Sequence, residues 1–322
     1  MNSDSATEHG TGEEPAAVEV RGLVKSYGDR TVVNGLTFRV RAGSVTGFLG
    51  PNGAGKSTTL RMILGLDRPT AGEVLIGGRP YGGLVEPLRT VGALLDAGAA
   101  HPGRTARDHL LCVAQAGCLP GTRVEEVLAQ VGLESAAKRR IGGFSLGMRQ
   151  RLGIAAALLG DPEVLILDEP VNGLDPEGIR WLRHFLKALA ARGRAVLISS
   201  HLMTETALLA DRLVVIGRGR LLADVSMAEF AAEHGRSRVR VRSDEPERLR
   251  ASLVREGLRV TSGDDGALEV YEADPAVVGR IAAHEGTPVL ELVRVEDSLE
   301  EAFMRMTADS VEYGGRPLEE VA

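Results

Sequence analysis

Lysine is scarce in this chain. Lys25, Lys56, Lys138 and Lys187 are the only four among 38 basic residues, the rest being arginine. Lysine supplies a compact point charge where arginine supplies a planar fork, so a lysine at a specialised position is unlikely to stand there by chance. Cysteine is rarer still. Cys112 and Cys118 lie six apart on one expected helix and face different ways. They exclude a disulfide framework and a thiolate metal cluster, and they fit a reducing compartment. No run approaches the roughly 18 apolar residues that cross a bilayer. The longest apolar stretches, residues 154–159 and 164–167, are broken by Asp, Glu or Pro. A role at a membrane therefore requires a partner that spans it. Net charge is −6, which disfavours a general nucleic-acid-coating role. Residues 1–17 are small and acidic, without a basic or apolar leader segment, and read as a disordered tail rather than a signal peptide. The 322 residues are enough for two domains and a substantial core.

What the chain does have is Gly50-Pro51-Asn52-Gly53-Ala54-Gly55-Lys56-Ser57-Thr58, which fits the phosphate-cradling pattern G-x-x-x-x-G-K-[ST]. The run 45–49 before it reads as a short buried strand, and residues 59–64 after it as the first turns of a helix. Gly50, Gly53 and Gly55 let the backbone turn sharply and point successive N–H groups inward. Those donors and the positive helix end suit a polyphosphate. Lys56 is placed to reach the β/γ-phosphates, and the Ser57 hydroxyl to sit on Mg²⁺.

In chain order, residues 18–24 and 31–40 read as strands joined by a turn over 25–30. Tyr27 is placed to stack on an adenine; a half-exposed tyrosine at a strand end is the equal alternative on spacing alone. A short strand at 73–76 and an apolar run at 91–95 follow. Thr105-Ala106-Arg107-Asp108 opens a helix to about 116, and a second helix covers 124–131. Residues 97–160 read as an inserted helical subdomain. Ser145 caps a helix that runs to 159. The run 164–167 looks like a buried parallel strand and ends in Asp168-Glu169. Ligands bind beyond the carboxyl ends of such strands, so Asp168 is placed to hold Mg²⁺ directly or through water. Asp175-Pro176 opens an amphipathic helix with Ile179, Leu182, Leu186 and Leu189 on one face, where Trp181 serves packing. Residues 195–198 form another buried strand, ended by Ser199-Ser200-His201, and 212–216 with 220–223 a closing hairpin. Beyond about 225 the order β-α-β-β-α-β with a trailing helix matches a small α+β ferredoxin-like domain over 225–308, with a flexible tail at 309–322.

Together these motifs resemble the nucleotide-binding subunit of ATP-binding cassette (ABC) transporters over about residues 18–224. Residues 50–58 look like the Walker A loop and 164–168 like Walker B. Phe144-Ser145-Leu146-Gly147-Met148 stands at the family's L-S-G-G-Q signature, Gly173-Leu174-Asp175 at its D-loop, and His201 at its switch histidine. The resemblance also favours Tyr27 as the adenine-stacking aromatic. It implies an α/β P-loop NTPase cassette and an ATPase in which Glu169 polarises the attacking water and Lys56 stabilises the transferred phosphoryl group. It implies ATP and Mg²⁺, and a head-to-tail homodimer in which Ser145 and Gly147 of one copy close over the other's ATP.

Two departures are visible. Leu146 and Met148 replace a glycine and the glutamine of the signature, and Asp96 stands where the family has its Q-loop glutamine. As a carboxylate Asp96 could bind Mg²⁺ or its water, with shorter reach. Both departures, and residues 295–303 of the C-terminal domain, resemble bacterial drug- and antibiotic-exporter ATPases of the daunorubicin and bacitracin type. That implies a separate integral-membrane permease, a place at the cytoplasmic face of the membrane, and no nucleic-acid partner. The alternative is a soluble ABC ATPase acting on ribosomes or nucleic acid.

Overall fold

The computed structural model of the chain describes residues 16–234, 237–263, 265–296 and 298–310. The tails expected at 1–17 and 309–322 therefore lie almost entirely outside the described residues. Ala16 and Ala17 already belong to a strand, and Ser310 ends a 3₁₀ turn. Contacts divide the chain into one compact unit that reaches to Asp224 and includes Ser310, and a second at Val225–Asp309.

The first unit opens on an antiparallel hairpin, β1 (Ala16–Tyr27) and β2 (Arg30–Arg41). Its turn is only Gly28-Asp29, so Lys25–Tyr27, expected in the turn, continue the strand. The reason is pairing: Lys25 stands opposite Val33 and Ser26 opposite Thr31. β3 (Val45–Leu49) leads into the glycine loop and α1 (Lys56–Ile63). β4 (Ala71–Ile76) returns to the other side of β1, making a three-stranded antiparallel sheet. A single-turn helix, α2 (Pro87–Thr90), precedes β5 (Val91–Leu94). Three helices follow, α3 (Ala106–Ala116), α4 (Thr122–Gln130) and α5 (Leu146–Leu158). Their starts follow local chemistry: Thr105 accepts from the Asp108 N–H, and Ser145 from the Met148 N–H. The remaining elements are β6 (Val164–Leu167), α6 (Pro176–Ala191), β7 (Ala195–Ser200), α7 (Met203–Leu209), β8 (Arg212–Gly217) and β9 (Arg220–Ser226).

The large sheet has the order β5-β6-β7-β3-β8-β9, parallel from β5 through β8. β3, β6 and β7 are buried along their whole length, which is why their sequences are mostly apolar and do not alternate with charged residues. One face packs on α1 and the three-stranded sheet, with Phe38 stacked on Phe48 at 5.3 Å between ring centroids. The other face packs on the helical segment and on Leu182 and Leu186 of α6. Each such fully buried leucine contributes about 1.5–3 kcal/mol. Trp181 stacks on Phe185, with the Arg151 guanidinium 4.4 Å from its ring.

In the second unit, α8 (Met227–His234) precedes β10 (Ser237–Ser243), α9 (Pro246–Arg255), β11 (Arg259–Ser262), β12 (Leu268–Tyr271), α10 (Pro275–His284), β13 (Val289–Glu296) and α11 (Leu299–Thr307). The sheet order is β11-β12-β10-β13, antiparallel throughout. α8 carries a capping box: the Ser226 hydroxyl accepts from the Glu229 N–H, and the Glu229 carboxylate from the Ser226 N–H. That signal stands in the sequence as Ser226-Met227-Ala228-Glu229, at the point where the β pattern stops.

α5 lies so close on β5 that a Cβ at Gly92 would stand 1.9 Å from the Ala157 carbonyl oxygen and 2.8 Å from the Pro162 ring. Gly92→Ala therefore lowers stability by about 1–3 kcal/mol, read as a fall in the urea midpoint by circular dichroism. Gly82→Ala, where the added methyl meets nothing within 4 Å, leaves the midpoint in place.

Candidate active site

The glycine loop owes its shape to crowding as well as to freedom. A Cβ at Gly50 would stand 2.6 Å from the Ile216 carbonyl oxygen, and one at Gly55 2.9 Å from that of Val32. Gly53 and Gly55 also have φ of 81° and 102°, a region closed to most side chains. The result is a cleft of about 480 Å³ lined by residues 52–58, Arg30, Val32 and Glu169. Asn52, Gly53, Ala54, Gly55, Lys56, Ser57 and Thr58 are thus gathered around one space, and Gly50 supports it from behind.

Lys56 is 7 % exposed. Its ammonium donates to the carbonyls of Gly50 at 2.7 Å and Pro51 at 3.3 Å, and lies 3.7 Å from Glu169 Oε1. Burial pushes it below the usual lysine value, and the Glu169 and Asp168 carboxylates only partly offset this. A polyphosphate in the cleft would supply the missing negative charge.

The acidic end is built from three adjacent strands. Ser57 Oγ, one residue into α1, donates to Asp168 Oδ2 at 2.7 Å. Leu167 of β6 pairs with Ile198 of β7, so Ser199 stands beside Asp168. The Ser199 hydroxyl donates to the second Asp168 oxygen and accepts from the Glu169 N–H at 2.9 Å. Gln150 of α5 donates to the Glu169 carbonyl at 3.2 Å. Glu169 has φ of 48°, a left-handed conformation that costs a non-glycine residue about 1–2 kcal/mol. Its carboxylate lies between Lys56 and His201, whose Nδ1 is 2.9 Å from Oε2. Ser199, Gln150, Arg30 and Val32 carry no motif signal. Ser199 alone has a cue of another kind, as a hydroxyl at the end of an apolar parallel strand, where burial demands a partner.

Other candidate residues stand apart from this cleft. Tyr27 is 50 % exposed, donates to Asp67 Oδ2 at 3.3 Å and has the Lys25 ammonium 4.8 Å from its ring centroid. Arg30 and Val32, across the hairpin turn, line the cleft instead. Asp96 does not join Ser57 and Asp168. Its carboxylate accepts from the Gly98 N–H at 2.6 Å, the local turn that aspartate favours. It lines a separate cavity of about 370 Å³ with His109 and Arg149. In this arrangement Asp96 is not gathered with the oxygens of Ser57 and Asp168. Among the described residues no three His, Cys, Asp or Glu side chains gather as a metal site. Ser145 and Asp175 serve as helix caps, Asp175 accepting from the Gly178 N–H at 2.8 Å. Gly147 packs so near Gly173 that a Cβ would stand 2.8 Å from its carbonyl oxygen. None of the three lines the cleft.

The oxygen donors Ser57 and Asp168 suit a hard cation such as Mg²⁺, which is commonly held by one or two protein oxygens and the phosphates of its nucleotide. The family model described as ABC transporter matches residues 33–172, and one described as a domain of unknown function matches 237–300. The chain is 36% identical over 297 residues to the bacitracin transport ATP-binding protein BcrA of Bacillus licheniformis, covering 90% of this chain and 96% of that protein. It is 36% identical over 302 residues to the Nod factor export ATP-binding protein I of Rhizobium sp. (strain N33), covering 92% and 98%. A solved ATP-binding subunit of an ABC transporter superposes with a TM-score of 0.62 at 29% identity, over 67% of this chain and 92% of that one. With 36% identity over nine-tenths of its length to such proteins, the chain belongs to the ATP-binding proteins of ABC transporters.

Proposed function

We propose that this chain is the ATP-hydrolysing subunit of an exporter, powering the outward movement of a drug, antibiotic or lipid-like substrate through a separate membrane-spanning subunit. The observation that carries it is the bond from Ser57 to Asp168, which joins the glycine loop to the end of β6, with Glu169 between Lys56 and His201 beside it. Export and substrate class follow the relatives, one named for bacitracin transport and one for Nod factor export. No helix among the described residues is long and apolar enough to cross a membrane. That is consistent with a partner that does so and with a position at its cytoplasmic face. The second unit is proposed as a ferredoxin-like accessory domain.

In this reaction Lys56 would leave the carbonyls of Gly50 and Pro51 and turn to the β/γ-phosphates, which the loop amides also face. Ser57 and Asp168 would hold Mg²⁺, which when bound neutralises charge on the transferred phosphoryl group. Glu169 would accept a proton from the attacking water, a role worth ~10²–10⁴-fold. His201 would orient Glu169 and contact the γ-phosphate or the water. Tyr27 would stack on the adenine after leaving Asp67. Ser145 and Gly147 belong to the exposed start of α5, beside Leu146, which is 56 % exposed. They would close over the nucleotide of a second copy, with Asp175 at the same junction, so that two copies make two sites.

Glu169→Gln is expected to retain ATP binding, lose at least about 100-fold in turnover and accumulate as an ATP-bound dimer in light scattering. Parental turnover in this variant would remove Glu169 from the role. A mixture of Lys56→Ala and Ser145→Arg chains should hydrolyse ATP although neither does alone, because one site of the mixed dimer keeps both residues. Failure to complement would count against sites shared between copies. Asp96→Asn should leave the Mg²⁺ concentration for half-maximal hydrolysis unchanged; a large rise would return Asp96 to the metal site.

A further inference from the structure

Glu169 holds a backbone conformation that its residue type disfavours, and both flanking peptide groups are tied to buried side chains of other elements. Its N–H donates to Ser199 Oγ at 2.9 Å, and its carbonyl accepts from Gln150 Nε2 at 3.2 Å. Ser199 is fully buried at the end of β7, and Gln150 is buried in the second turn of α5. Neither lines the cleft. The Glu169 carbonyl also accepts from the Asn172 N–H at 3.2 Å. Loss of Gln150 would therefore not leave that oxygen unpaired; it would remove the tie to α5.

We propose that Ser199 and Gln150 are positioning residues that clamp the peptide groups on either side of Glu169. The clamp keeps φ at 48° and so keeps the carboxylate between Lys56 and His201. A return to an ordinary φ would swing the Cα–Cβ bond and carry the carboxylate off that line. The two residues differ in reach. Ser199 also donates to Asp168 and so holds both neighbouring carboxylates, whereas Gln150 acts on Glu169 alone. The inference rests on the proposed role of Glu169 as base.

The test is Mg-ATP turnover by the full chain. Gln150→Met keeps an unbranched side chain of similar size but has no donor. It should lower kcat about 10–100-fold, the usual effect of removing a supporting hydrogen bond, with the KM for ATP and the Mg²⁺ half-saturation unchanged. Ser199→Ala should lower kcat similarly and also raise the Mg²⁺ half-saturation. Ser199→Thr, which keeps the hydroxyl, should recover most of the rate. If Gln150→Met does not fold, the Ser199 pair decides the matter, since alanine removes one oxygen atom only. In single-turnover hydrolysis by Glu169→Gln at saturating Mg²⁺, neither substitution should cause a further loss. Parental kcat in Ser199→Ala, or losses that multiply with Glu169→Gln, would overturn the clamp. Parental turnover in Glu169→Gln itself would instead overturn the base assignment, and the two failures are distinct.

Discussion

Everything in the first unit depends on the parallel pairing of β6 with β7 and of β7 with β3. Those three strands are buried along their length and neighbours in one sheet. Each ends at the same edge and hands the chain to a loop that carries chemistry: the glycine loop after β3, Asp168-Glu169 after β6, and His201 after β7. Their register puts Leu49 level with Ser200 and Leu167 level with Ile198. A one-residue slip would send every side chain to the opposite face and separate Ser57 from Asp168. A slip is opposed because it would part the buried Ser199 hydroxyl from Asp168 and the Glu169 N–H, leaving a buried polar group without partners.

That arrangement sets the polar chemistry under strain that the surroundings oppose. Lys56 is desolvated, and its carboxylate neighbours offset the loss only in part. Glu169 is held in a left-handed conformation, and its carboxylate answers two cationic or potentially cationic groups at once. Buried polar groups are acceptable in such a place when each has a partner, and here the partners come from the glycine loop, α1, α5, β7 and the loop after β7. The site is therefore a property of the assembled sheet and its flanking helices rather than of any one loop.

Much of this was legible in advance, and the reason is locality. Gly50, Gly53, Gly55, Lys56 and Ser57 act over a few consecutive residues, so their spacing alone names a phosphate cradle. Thr105, Ser145 and Asp175 announce helix starts by the same short-range logic, and each does accept the expected N–H. The runs 45–49, 164–167 and 195–198, free of charged residues, identify buried parallel strands, and the sheet contains them as β3, β6 and within β7. Where the readings departed, long-range contact had intervened. Lys25 and Ser26 look like turn residues but pair across the hairpin.

From its order of residues alone, then, the chain determined the glycine cradle, the capped helices, the carboxylate pair after a buried strand and the histidine after another. Each needs only neighbours within about one turn of backbone, and φ preference, capping and burial act at that range. Only the tertiary structure decided that Ser57 meets Asp168 across 111 residues, that Ser199 lies beside Asp168 from 31 residues away, and that Gln150 reaches Glu169 from another element. It also decided that Ser145 and Gly147 lie outside the cleft. Those outcomes depend on strand order and helix packing, which settle which distant residues share a level at the sheet edge, and no local pattern encodes that.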